Sequence, residues 1–477
     1  MQRQKFVRAA KWAFIESVAG SVLSFASLLV VARLLKPSDF GVAAAVLITS
    51  GLVQTLTTQG MSDAMVRHRS GHTSITSAAN SLALILGTCG WIFCLATAPL
   101  LALALDEPQL APMLMVHSFT CVLAGLVVIP TARLTRKLRI KKLTFLNFTQ
   151  KLFTTLSTIF LAFVGVGPWA IVVGSLIGAF YATGTFMAMS PQKKIFRVRI
   201  SEALPLLQMS WQLGLEGVLW AVHVRVFALL FGFSHGPAEL GYFNFGLRLV
   251  DEVANLLNRT ISRIALSGFA TAKRLGRDIG TLFVNGSFLT ALVAYPTLIG
   301  IAIVAPDLIP MVFGHKWVPA TSYVEVFCTV WCFTIVRVLA PPALRAQGVQ
   351  RPLLIMAAIA AALNIAAVYA TSSLPPEMAA WSFATRLLVT FPSSFYFVSL
   401  YLDISIRRQL MSLIGPVAAT LAMALAVRMS GQLFPALIGI SRLTLDVLVG
   451  ISVYCAVLLL LNGKQIRQLV RSWQAKT

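Results

Sequence analysis

Acidic residues are scarce in this chain. Asp and Glu number 16 among 477 residues, and charged residues of both signs make up only 12%, where a soluble globular chain carries about a quarter. That composition cannot clothe a core in hydrated surface, so a soluble domain of useful size is excluded. Cysteine is sparse too, and all 6 residues, Cys89, Cys94, Cys121, Cys328, Cys332 and Cys455, fall inside apolar stretches, which implies no disulfide framework. Cys328 and Cys332 stand four apart on one helix face, but no His or carboxylate cluster accompanies them. They read as small apolar side chains, and no metal site is implied. There is no Asp-x-Asp metal motif, and the longest expected external loop runs only from Ala305 to Pro319. A membrane-bound polysaccharide polymerase or acyltransferase needs large loops or clustered catalytic residues, so an enzyme is disfavoured.

Apolar sequence is what the chain has in abundance, at 57%. Stretches of about 20 apolar residues, enough to cross roughly 30 Å of hydrocarbon at 1.5 Å per residue, recur from end to end. Lipid leaves no backbone group room to stay unpaired, and these runs are too long and uniform for barrel strands, so the spans are helices. They are expected at 13–34, 41–62, 78–104, 110–131, 144–166, 168–189, 207–233, 241–262, 281–305, 320–344, 353–372, 379–400, 413–429 and 442–462. The fold class is an all-α polytopic membrane protein of about 14 transmembrane helices. The first run is long enough to span and no small-residue cleavage site ends it, so it reads as a retained helix rather than a signal peptide.

The net charge of +23 is explained by where the Lys and Arg residues lie. The segment before the first span and those after every second one hold Arg3, Lys5, Arg8 and Lys11; Arg67 and Arg69; Arg133, Arg136, Lys137, Arg139, Lys141 and Lys142; Lys193, Lys194, Arg197 and Arg199; Arg259, Arg263, Lys273, Arg274 and Arg277; Arg345 and Arg351; Arg407 and Arg408; and Lys464, Arg467, Arg471 and Lys476. The intervening loops are nearly free of them. By the positive-inside rule both termini are cytoplasmic. The basic charge is a topology signal that also suits anionic lipid headgroups, and it is no argument for nucleic acid.

Two short stretches repeat. "LKPSDFGVA" begins at Leu35 and "HGPAELGY" at His235, aligning Pro37 with Pro237, Asp39 with Glu239 and Gly41 with Gly241; the same register matches Glu16 to Glu216. Each stretch reads as a hairpin tip: proline sets the turn, the acid caps the following helix, and glycine permits the close reversal. The duplication divides the chain into an N-lobe (1–195, helices 1–6), a C-lobe (196–405, helices 7–12) and an appendage (406–477, helices 13 and 14 with a basic tail). An even number of helices per repeat makes the repeats parallel, with a pseudo-twofold along the membrane normal. Two such lobes around a central cavity are a known way to build alternating access.

The residues Val30 to Arg67 resemble the start of the polysaccharide-transporter branch of the multidrug/oligosaccharidyl-lipid/polysaccharide exporter superfamily. The likeness rests on Arg33, Leu34, Leu35, Pro37, Phe40 and Gly41, then Gly60, Met61, Ser62, Asp63 and Ala64. The stretch "LGYFNFGLRLVDEVANLL" adds Gly241, Tyr242 and Arg248. The resemblance implies a flippase that carries undecaprenyl-diphosphate-linked oligosaccharide across a bacterial inner membrane for O-antigen, capsule or exopolysaccharide assembly. Its partners would be that lipid-linked glycan, membrane lipids, a polysaccharide polymerase and chain-length or export proteins. The rival within the superfamily is a drug or metabolite-cation antiporter.

Ionisable residues inside spans are expensive and ask for partners or a watery cavity. Arg225 and Arg248 lie at about 11–12 Å from the external ends of their helices at 1.5 Å per residue, and Arg386 lies at a similar depth. Together with Lys151 and Arg337 nearer the cytoplasm, they form a candidate site for a diphosphate or acidic sugar, because guanidinium grips such oxygens bidentately. A purely structural account also exists. Arg248 can pair with Asp251 or Glu252 along its helix, Arg225 with Glu216, and Lys151 can reach the inner interface. Glu16, Glu216, Asp251 and Glu252 are candidates for gating or for exchange of a coupling proton or sodium ion; no other cofactor is implied. His223 reads as a packing residue, and Asp446 has no account at this level.

Overall fold

The computed structural model describes the backbone of residues 2–474 apart from 59, 63–64, 66–72, 138, 190–199, 275–277, 350 and 436–438. Of the helical residues, it leaves undescribed the side chains at 2–17, 73–75, 140, 200–207, 209–210, 212–213, 216, 259–268, 270–274, 346, 464, 466 and 468–474. Among the described residues the regular structure is helical throughout: α1 Gln2–Leu34, α2 Pro37–Thr58, α3 Thr73–Ala104, α4 Leu110–His117, α5 Thr120–Arg136, α6 Ile140–Val164, α7 Trp169–Met189, α8 Ile200–His235, α9 Pro237–Arg274, α10 Ile279–Phe313, α11 Ala320–Val336, α12 Ala340–Ala346, α13 Arg351–Ala370, α14 Pro376–Trp381, α15 Leu387–Leu402, α16 Ile406–Leu433 and α17 Ile440–Gln474. Among the described residues, 11 helical segments are long and apolar enough to cross a membrane. Helices α1, α6 and α9 cover the remaining expected spans. In α1 the described apolar stretch, Val18–Leu34, is shorter than the other spans, while α6 and α9 mix polar and charged residues into their length.

By contact the chain forms two units, Met1–Phe245 with Ala357–Thr385, and Gly246–Met356 with Arg386–Thr477. In the first unit the helices approach through small residues, as expected where lipid supplies no hydrophobic drive between helices. A Cβ on Gly174 or Gly178 of α7 would strike Thr158 or Thr154 of α6, and one on Gly87 of α3 would strike the Cys121 carbonyl of α5. In the second unit α10, α16 and α17 pack together; Tyr454 Oη donates to the Leu292 carbonyl at 2.7 Å. The exterior is apolar, with Leu460 84%, Leu103 78% and Leu388 75% exposed. Such residues would be misplaced in water and are at home against lipid tails.

Three expected spans are interrupted. Ser118 and Phe119 separate α4 from α5, a 3-10 turn at Arg337–Leu339 separates α11 from α12, and another at Ser382–Ala384 separates α14 from α15. Short 3-10 breaks within long helices often mark hinges or functional sites, and irregular backbone at membrane depth survives only where protein or a watery cavity surrounds it.

Candidate functional site

The repeated tips fold differently from simple reversals. Helix α2 starts at Pro37 and α9 at Pro237, each proline at the first helical position where its missing N–H costs nothing. Asp39 is therefore not the residue before the helix: it sits in the first turn and its Oδ2 accepts from the Lys36 amide at 3.3 Å, the reaching-back half of a capping box. The chain reverses at Gly236 (φ 88°) before α9, whereas Gly41 and Gly241 lie inside their helices, just past the first turn. Their role is mutual. A Cβ on Gly41 would overlap the Pro237 carbonyl oxygen, and a Cβ on Gly241 would overlap the Pro37 carbonyl oxygen. Each tip thus buries its glycine against the other's proline carbonyl, the reciprocal contact that a twofold relation produces. Phe40 and Phe245 close the contact edge-on, 6.4 Å between centroids. Arg33 at the end of α1 is exposed, and Glu239 is half-buried in the first turn of α9.

From that contact α2 and α8 run antiparallel inside the first unit. Half-buried Arg225 of α8 meets Gly51 of α2, where a Cβ would sit 2.6 Å from its Nη1, and Nη1 donates to Thr55 Oγ1 at 3.2 Å. Gly51 is what lets a guanidinium lie flat against a helix. Lys151 of α6 runs beside Gly20 of α1, with Cδ and Nζ each 3.6 Å from a Cβ placed there. His223 is buried among aromatics, 4.7 Å from Trp220 and 6.5 Å from Phe383 between ring centroids. Glu16 and Glu216, the matched acids, have side chains outside the described residues.

The second unit brings together more of the expected charges. Arg337 and Arg386 are only 8% and 7% exposed. Each stands at a helix break, Arg337 opening the 3-10 turn after α11 and Arg386 directly before α15. Arg386 lies within the electrostatic reach of both Arg337 and Asp251, and Asp251 of α9 accepts from Trp331 Nε1 of α11 at 2.8 Å. Half-buried Arg248 lies in the field of Glu252, one helical turn on. Arg337 has no acid beside it among the described residues, and its Nε lacks a hydrogen-bond partner there. Asp446 now has an account, since Arg442 Nε approaches its Oδ2 at 3.2 Å and Ser430 Oγ donates to Oδ1 at 3.0 Å. It fastens α17 to α16.

Sequence reading missed one polar cluster in the first unit. His117, buried at the end of α4, holds Ser50 of α2 through Nδ1 at 2.8 Å and Ser175 of α7 through Nε2 at 2.8 Å. An ionisable residue in an apolar stretch was the available signal. Its serine partners are ordinary in any span and carried none.

A helical membrane protein with small-residue packing, broken spans and arginines buried at the breaks has the build of a transporter. Residues 30–322 match the family described as polysaccharide biosynthesis protein, and the chain belongs to it. It is similar to the lipopolysaccharide biosynthesis protein WzxC of Escherichia coli (strain K12), 22% identical over 337 residues covering 69% of this chain and 67% of the relative. A shorter match, 33% identical over 114 residues, 24% of this chain and 23% of the other, links it to the teichuronic acid biosynthesis protein TuaB of Bacillus subtilis (strain 168). Among solved structures, the lipid II flippase MurJ in an inward closed conformation superposes with a TM-score of 0.81 at 13% identity over 96% of this chain and 100% of that one. An inward-facing multidrug resistance MATE family transporter follows at 0.58, 12% identity, 83% and 94%. The shared fold is that of the exporter superfamily, as the residues Val30 to Arg67 suggested, and the chain is a multi-pass membrane protein.

Proposed function

We propose that this protein flips a polyprenyl-diphosphate-linked oligosaccharide across the bacterial inner membrane for assembly of a surface polysaccharide. The observation that carries the reading is the pair of buried arginines at helix breaks, Arg337 and Arg386, in a chain of the polysaccharide biosynthesis family. Burying a guanidinium is costly without a counter-charge, and a diphosphate supplies one during transport. Asp251, held by Trp331 and facing Arg386, keeps that arginine compensated when no substrate is bound. It and Glu252 are the acids best placed to exchange a coupling proton or sodium ion. Arg225, Arg248 and Lys151 extend the cationic set, while the polyprenyl tail stays in the bilayer. The two repeats rock about their common axis, and the Gly41–Gly241 contact parts when the outer side opens. Polymerase and chain-length or export proteins receive the product.

A drug or metabolite-cation antiporter is the rival, favoured by the MATE likeness in fold alone. Its substrates would be repelled by an interior with this many arginines. The test is a strain lacking this gene, scored for surface polysaccharide. Wild-type protein is expected to restore it, and Arg337→Met with Arg386→Met is expected to abolish export at unchanged membrane abundance. Full export by that double variant would remove the anion role, and drug resistance on expression with no change in surface glycan would favour the antiporter.

A further inference from the structure

At the ends remote from the glycine contact, α2 and α8 of the first unit border a small cleft of about 50 Å³ lined by Thr55, Leu56, Thr57, Thr58, Trp211 and Val218 among others. The threonine hydroxyls have already spent their protons on their own helix: Thr55 donates to the Gly51 carbonyl at 2.7 Å, Thr57 to that of Val53 at 3.0 Å and Thr58 to that of Gln54 at 2.7 Å. Each oxygen therefore keeps lone pairs as an acceptor and has no proton left to donate. A wall of acceptors repels anions and suits a ligand rich in O–H donors. Opposite stands Trp211, 57% exposed, a broad π face at the mouth of a cleft that mixes threonines with apolar side chains. The axial C–H face of a pyranose is apolar and electron-poor, and it packs on such a ring while its equatorial hydroxyls point sideways to acceptors.

Trp211 and Arg225 are 14 residues apart, which is about 21 Å along α8 and only about 40° apart around it. They therefore lie along one side of α8, the side that meets α2 at Arg225. Thr55 belongs to both ends, since its Oγ1 accepts from Arg225 and lines the cleft.

Resting on the flippase reading, we propose that this cleft is the glycan subsite: a neutral hexose or amino-sugar ring of the lipid-linked oligosaccharide stacks on Trp211 and donates hydroxyl protons to Thr57 and Thr58. Arg225, farther along the same face, takes the anionic end. The cleft reads the sugar and the arginine reads the charge.

The test uses full-length protein in nanodiscs and, as probe, the free oligosaccharide released by mild acid from the polyprenyl-diphosphate fraction of wild-type cells. Calorimetric titration is expected to show about tenfold weaker binding by Trp211→Leu, the scale of one lost stacking contact, with Trp211→Tyr near wild type. Trp211 fluorescence, read as wild type minus Trp211→Tyr, is expected to lose its quenching by brominated lipid when the oligosaccharide is added. Equal binding by Trp211→Leu, or lipid quenching that the oligosaccharide leaves unchanged, would overturn the proposal and make Trp211 an interfacial anchor. The flippase reading is scored separately. If wild type fails to restore surface polysaccharide, that reading falls while the titration still reports on the cleft. If Trp211→Leu exports as wild type does, the subsite falls and the flippase stands.

Discussion

At the scale of single residues, the informative positions are those where a side chain is missing or uncompensated. Gly51 makes room for the Arg225 guanidinium, the far end of a flexible side chain. Gly51→Ala is therefore expected to displace Arg225 with a thermal stability change within about 0.5 kcal/mol, yet to lower export in the complemented deletion strain. Arg337 is the opposite case, a buried cation whose Nε has no partner among the described residues. Removing a buried charge that has no partner also removes its desolvation penalty, so an apolar residue of similar volume is tolerated there. Arg337→Met is expected to unfold at the same or a higher temperature while losing export; a large fall in stability instead would mark Arg337 as structural. The sequence showed both arginines as charges in spans. That one rests on a glycine and the other on a helix break depended on which helix came to lie beside them.

At the scale of elements, caps and tips set where each helix begins. Asp278 precedes α10 and accepts from the Gly280 amide at 2.7 Å and the Thr281 amide at 3.2 Å, as well as from the Thr281 hydroxyl. The Thr281 hydroxyl bond, with the amide bonds behind it, holds the Asp278 carboxyl below the ordinary carboxylate value. Its folded pKa is thus depressed, so its stabilisation is fully present above the unfolded pKa of about 3.9 and is lost as pH falls through the folded pKa. Asp278→Ala is expected to cost about 1 kcal/mol at neutral pH, with Asp278→Asn costing less and the wild-type advantage disappearing in acid; equilibrium unfolding across pH measures all three. The repeated tips were legible as turns from proline and glycine alone. Their partner was not, because glycine's demand for room does not say whether its own chain or a distant one takes it.

At the scale of the whole molecule, the reciprocal burial of Gly41 and Gly241 predicts a reversible lock. A Cβ at either glycine would hold the tips apart, so Gly41→Ala and Gly241→Ala are each expected to lower export in the complemented deletion strain at unchanged membrane abundance. Full export by both variants would show that the contact takes no part in the cycle. The sequence by itself determined the solvent, the helical class and the position of nearly every span, because the cost of unpaired backbone in lipid leaves one solution for apolar runs of that length. It also pointed to the family, through residues that local turn chemistry constrains. Tertiary structure alone decided that the two tips embrace, that spans near 118, 337 and 383 break, that His117 links two serines, and that Asp446 fastens α16 to α17. Those outcomes hang on which helix faces meet. Inside lipid that choice rests on a few small residues and polar partners far apart in the chain, where hydropathy is nearly uniform and carries no address.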